Sequence, residues 1–179
     1  MPITTRFLLP SAVLACGLAM SVPARADLHV TDAQLNPVAI CQSSLPATDA
    51  QVRPKATGFR NESTTKGAFV ICGYSQPTKD GDSGLPSSIQ IYFHSIDGAD
   101  RTISCTAVTG VDGLWPMIYS TKTVQSAANG TYGFLAWGPG DFGGTSSIPN
   151  GYHVSVTCDL PPQTSIIDAL NSVQYEIGD

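Results

Sequence analysis

Apolar and polar residues alternate with a period of two over much of this chain. Ile89, Ile91 and Phe93 alternate with Gln90, Tyr92 and His94, and Ile103, Cys105 and Ala107 repeat on one face of residues 101–108. In a strand, residues two apart share a face, so both stretches read as half-exposed β-strands. Asp97-Gly98 between them is a turn pair and predicts that the two form a hairpin. Residues 117–125 and 131–137 flank Asn129-Gly130 and predict a second hairpin. Asn150-Gly151 launches Tyr152, Val154, Val156 and Cys158 on one face, with His153, Ser155 and Thr157 on the other, until Pro161-Pro162 stops the ladder. The short apolar run Ala68–Tyr74 reads as a buried strand, residues 172–177 as a last strand, and residues 166–171 as one helical turn. Seven or eight short strands with tight turns and no long helical period predict an all-β fold, an antiparallel β-sandwich or jelly roll. No repeat or interdomain linker interrupts residues 27–179, which read as one domain.

The first 26 residues follow a different pattern. Arg6 precedes an apolar run over 7–22, and Ala24-Arg25-Ala26 presents small residues at the positions a signal peptidase reads. A signal peptide 1–26, cut before Asp27, leaves a product that is secreted or periplasmic. The run is shorter than the roughly 18 residues a membrane span needs, and no other stretch is a candidate. Val13-Leu14-Ala15-Cys16-Gly17 loosely resembles a lipobox, but bulky Leu14 and the apolar residues beyond Cys16 argue against a lipid anchor there.

An export signal changes how the remaining cysteines are read. Cys41, Cys72, Cys105 and Cys158 form an even set in an oxidising compartment, and each lies in a strand-like stretch. That pattern favours two disulfides over a metal or a catalytic thiol. No C-x-x-C pair is present for zinc, and no metal or cofactor is expected. Four cysteines allow three connectivities; Cys41–Cys72 and Cys105–Cys158 are the most local closures and the favoured pairing.

Beyond the leader, seven basic residues stand against fourteen acidic ones, a net charge of −7. Nucleic acid and anionic lipid both require clustered Lys and Arg, so this balance excludes them as partners.

Candidate chemistry is sparse. Gly81-Asp82-Ser83-Gly84 is similar to the serine loop of chymotrypsin-like proteases, yet the one histidine upstream is His29, in no matching context. Asp80 and Asp82 alternate as calcium ligands do, but Leu85 and Ile91 stand where a calcium loop of the EF-hand type needs Gly and Glu. His94 and His153 read as surface residues on strands, and with only Glu62 and Glu176 any acid–base pair must draw on aspartates in turns. Asn61-Glu62-Ser63 and Asn129-Gly130-Thr131 match the glycosylation pattern. The aromatics are the best handle. Trp115 is placed in a loop, Trp137 at a strand end, and Tyr92, Tyr119 and Phe142 partly exposed, with Asp141 and Phe142 in the glycine-rich loop 138–144. Flat rings at the end of a sandwich stack on sugars, which nominates Trp115, Trp137, Asp141 and Phe142 as a ligand site; the competing reading puts both tryptophans in the core. The expected function is non-catalytic binding of a glycan or an extracellular protein. A small hydrolase and an adhesive surface component are the alternatives.

Several of these residues form a wider pattern: Cys41-Gln42, Gly58, Asn61, Val70-Ile71-Cys72, Ile91-Tyr92, Ser104-Cys105, the run from Tyr152 to Pro162, Ser165-Ile166 and Tyr175-Glu176. It resembles a group of small secreted bacterial proteins that share a four-cysteine β-rich domain. The resemblance implies a β fold and export, and brings no activity with it.

Overall fold

In the computed structural model, the described residues are 27–76, 78–79, 82–126 and 131–177. Residues 1–26 with Cys16, the calcium candidate Asp80, Gly81 and the expected Asn129-Gly130 turn lie outside them. The strands are β1 (Asp27–Leu35), β2 (Cys41–Ser43), β3 (Val52–Lys55), β4 (Gly58–Asn61), β5 (Ala68–Tyr74), β6 (Thr78–Lys79), β7 (Asp82–Ser83), β8 (Leu85–Ser95), β9 (Arg101–Val111), β10 (Trp115–Ser126), β11 (Gly133–Trp137), β12 (Val154–Leu160) and β13 (Thr164–Ile177). One sheet runs β11-β8-β13-β4-β3, with β1 also paired to β13; the second runs β10-β9-β12-β5-β2; β6 and β7 make a separate two-stranded ribbon. All pairings are antiparallel. The predicted all-β sandwich is thus correct in class, but its two main sheets hold eleven strands rather than seven or eight.

The alternation works as the sequence implies. Ile89, Ile91 and Phe93 of the first sheet and Ile103, Cys105, Ala107, Val154, Val156 and Cys158 of the second are buried in one shared core. Ala68–Tyr74 is not buried throughout, since Phe69 on its outer face is half exposed.

Pairing is where expectation and structure part. Strands β8 and β9 do not form a hairpin: β8 lies between β11 and β13, and β9 between β10 and β12. Residues 96–100 carry the chain from one sheet to the other, a span of roughly 10 Å that a five-residue link covers. Asp97 organises that crossing. Its carboxylate accepts the Ala99 N–H at 3.1 Å and two hydrogen bonds from the Arg101 guanidinium, both 2.6 Å. β10 and β11 likewise belong to different sheets. β9 instead forms a hairpin with β10, closed by Asp112-Gly113-Leu114 with Gly113 at φ +74°. Residues 166–171 continue β13 rather than turning as a helix, because Ile166, Ala169 and Asn171 are buried where that strand runs between β8 on one side and β4 and β1 on the other.

Both favoured disulfides are present, Cys41–Cys72 and Cys105–Cys158. Each joins residues directly opposite on neighbouring strands of the second sheet, β2 to β5 and β9 to β12. The staples therefore lock the register of that sheet and do not bridge the sandwich.

Candidate functional site

The four nominated residues do not form one site. Trp137 is fully buried at the end of β11, with its indole N–H donating to the Ser120 carbonyl of β10 at 3.1 Å. Phe142, expected to be partly exposed, is only 3% exposed at the end of a 3-10 turn (Pro139–Phe142). Neither ring offers a face to a ligand. Asp141 is an internal clasp: its carboxylate takes the Lys122 ammonium and the Gly138 N–H, each at 2.8 Å. Burial would raise its pKa, but those two donors outweigh it and hold the carboxyl below its usual value.

Trp115 is exposed, and it opens β10 rather than lying in a loop. Its neighbours are Tyr152 and His153, with ring centroids 6.3 and 6.0 Å away. Tyr152 was expected to point inward with Val154, but β12 begins only at Val154 and Tyr152 is exposed before it.

A second aromatic group lies on the outer face of the first sheet. Period two turns Gln90, Tyr92 and His94 of β8 outward, because Ile89, Ile91 and Phe93 face the core. On β11 the same logic turns Phe134 outward, directly opposite Tyr92, while Leu135 and Trp137 point inward. The Tyr92 and Phe134 rings stack at 5.5 Å and 24°, and Tyr132 tilts against Tyr92 at 5.6 Å. Phe134 is 50% and Tyr132 59% exposed, so the cluster is an open platform.

Polar groups border it. The Tyr92 hydroxyl donates to Gln90 Oε1 at 2.7 Å. Across from Tyr92 on β13 stands Asp168, brought there by a bulge after Ile166. Asp168 accepts from Gln34 Nε2 of β1 and from the Ala169 N–H, each at 2.8 Å. Partial burial, reinforced by Tyr132, Asp168 and Asp32, raises the Tyr92 pKa, so its hydroxyl stays protonated as donor and acceptor. Rings beside a carboxylate and amides suit a ligand with an apolar face and a rim of hydroxyls.

The remaining candidates separate. His94 lies in β8 of the first sheet, whereas His153 precedes β12 of the second. Among the described residues no group of three or more His, Cys, Asp or Glu is placed to hold a metal. Asp82 and Ser83 form one arm of the β6–β7 ribbon. Asn61, the first glycosylation candidate, is fully buried and donates to the carbonyls of Lys66, Leu160 and Pro161, so it is closed to modification in the folded state. A cleft of about 330 Å³ beside Asp49, Asn61, Ser63 and Lys66 contains none of the four nominated residues.

The signal in the sequence was weak and limited to Tyr92, which occupies a polar-phase position of β8 between Gln90 and His94; residues 131–137 show no polar phase that would mark Tyr132 or Phe134. What no pattern supplied was the β8–β11 pairing that assembles them.

No protein family and no curated protein matches the chain. A solved structure described as "CBM4 structure and function" is 9% identical, covers 75% of this chain and 85% of that chain, and superposes with a TM-score of 0.36. That likeness is too distant to carry an argument.

Proposed function

We propose that this is an exported, non-catalytic binding protein whose first sheet presents an aromatic platform to a glycan. One observation carries the reading: half-buried Tyr92 and exposed Phe134 and Tyr132 form a contiguous ring cluster beside Asp168, Gln90 and Gln34. Large aromatic faces left in water cost free energy unless something covers them, and contiguous exposed aromatics mark interaction sites. A sugar ring fits this surface because its apolar C–H face stacks on the rings while its hydroxyls reach the carboxylate and amides at the edge. The two disulfides agree with an oxidising, extracytoplasmic environment, in line with removal of residues 1–26 as a signal peptide.

The test is a glycan-array screen of the oxidised protein, with each hit titrated by calorimetry against Phe134→Ala and Tyr132→Ala. Both side chains are half exposed or more, so the variants should fold normally. Each should weaken binding roughly tenfold, the equivalent of about 1.4 kcal/mol. No saturable hit from a folded sample, or hits indifferent to both substitutions, would remove the glycan reading. Tryptophan emission is not the readout here, because Trp137 is buried and Trp115 belongs to the other sheet.

A further inference from the structure

The β9–β10 hairpin ends in an exposed apolar tip. β12 pairs with β9 only as far as Thr109, so beyond that rung the hairpin has no strand paired to it on the β12 side, where residues 150–153 lie instead. Residues 112–117 are all exposed, with Leu114 at 68%, Trp115 at 39% and Met117 at 42%. Tyr119 and Tyr152 behind them are also exposed.

This tip is a built shape. Gly113 turns it at φ +74°, and Gly110, at φ +96°, lies where a Cβ would run into the Pro116 carbonyl. Between Trp115 and Ile118 the register shifts, which aims Leu114 and Trp115 off the regular ladder. The Asn150 amide donates to the Pro116 carbonyl at 3.2 Å, and Tyr152 and His153 pack against the indole. A fixed conformation that holds Leu, Trp and Met out in water calls for an occupant.

Two features choose among occupants. A stable dimer covers roughly 800 Å² per partner, apolar core and polar rim together, and this tip supplies apolar side chains with almost no charged rim around them. Asp112 is the one charged residue between Arg101 and Lys122, so the tip neither attracts an anionic surface nor meets a charged partner. An apolar apex with Trp and Tyr behind it and almost no charge matches the membrane–water boundary, where aromatic side chains settle with their apolar body in the acyl region and their polar edge in water.

We propose that the Leu114–Trp115–Met117 tip inserts peripherally into the interface of an uncharged, zwitterionic phospholipid bilayer and holds the sandwich at a membrane surface. The site is separate from the aromatic platform of the first sheet and does not depend on it.

The two tryptophans make the experiment clean, because Trp137 is buried and only Trp115 can report. The oxidised protein is titrated with phosphatidylcholine vesicles while tryptophan emission and co-sedimentation are followed. Expected are a blue shift with saturable partitioning, unchanged by salt, and a roughly tenfold loss of partitioning in Leu114→Ser. Met117→Ser should lose partitioning as well, with thermal unfolding unchanged in both variants. The idea is overturned by no shift on phosphatidylcholine, by binding confined to phosphatidylglycerol-containing vesicles and abolished by salt, or by partitioning indifferent to both substitutions. A concentration-dependent dimer that Leu114→Ser dissolves would overturn it too, by assigning the tip to a second copy.

Discussion

Replacing Trp137 tests whether the largest buried side chain is part of the core or part of a surface. Its ring is 0% exposed, and its N–H bonds to Ser120 of the opposite sheet at 3.1 Å, so it both fills the interior and ties β11 to β10. Trp137→Ala removes a fully buried aromatic, a change that costs about 3–5 kcal/mol through lost transfer energy and the remaining cavity. Trp137→Phe keeps most of the ring and loses the hydrogen bond and part of the volume, for about 1.5–3 kcal/mol. Trp115→Ala removes a ring from a solvent-facing tip and should cost under about 1 kcal/mol. Urea unfolding followed by far-UV circular dichroism reads all three without relying on the indoles themselves. With a urea dependence of about 2 kcal/mol per molar, Trp137→Ala lowers the midpoint by roughly 2 M, while Trp115→Ala moves it by less than 0.5 M. Equal losses in Trp115→Ala and Trp137→Ala, or a loss under about 1 kcal/mol in Trp137→Ala, would refute the assignment of Trp137 to the core and Trp115 to the surface.

Other perturbations follow from the same structure. Removing the Cys105–Cys158 bridge frees a 53-residue separation and removing Cys41–Cys72 a 31-residue one, so loop entropy predicts losses of about 4.2 and 3.7 kcal/mol for the two double-alanine variants. Calorimetry should rank them in that order; the reverse order would mean that packing, not closure, dominates. Hydrogen bonds from Arg101, then from the Ala99 N–H and Ser95, hold the Asp97 carboxyl well below its ordinary value. A depressed carboxylate stabilises above its unfolded pKa, so the gap between wild type and Asp97→Asn should be full at neutral pH. It should shrink below about pH 4 and close only in strong acid; a gap constant from pH 7 to 2 contradicts the clamp. Asn61→Asp places a carboxylate against the carbonyls of Lys66, Leu160 and Pro161, which now receive the amide, and should lower stability by about 3 kcal/mol or more at pH 7. Partial recovery on acidification, as the new carboxyl protonates, is the signature to look for in thermal melts.

Legibility varied with the range of the interaction. Alternation within single strands was readable because side-chain direction depends only on the local extended backbone: Ile89, Ile91, Phe93, Ile103, Cys105 and Ala107 all turn inward as the pattern says. Closure length favoured the disulfide pairing that forms, without by itself choosing among the three connectivities. The two predicted hairpins failed for one reason. A turn pair such as Asp97-Gly98 shows that the chain reverses, not whether it reverses within a sheet or across a sandwich, and here the Asp97–Arg101 clamp belongs to a crossing. Of the four nominated residues Trp115 alone is exposed, whereas Trp137, Asp141 and Phe142 belong to the interior and its seams.

What the sequence alone determined was the class of the protein: an all-β chain with an apolar N-terminal stretch, four cysteines suited to two staples, and no charge pattern for nucleic acid. These properties are local or compositional, and no partner strand is needed to state them. What only the tertiary structure decided was adjacency. Tyr92 and Phe134 become one surface because β11 closes against β8, and Trp137 is hidden because β10 of the opposite sheet supplies its hydrogen-bond acceptor. Both follow from how two twisted sheets bury their shared face, a constraint on the whole chain that no single segment records.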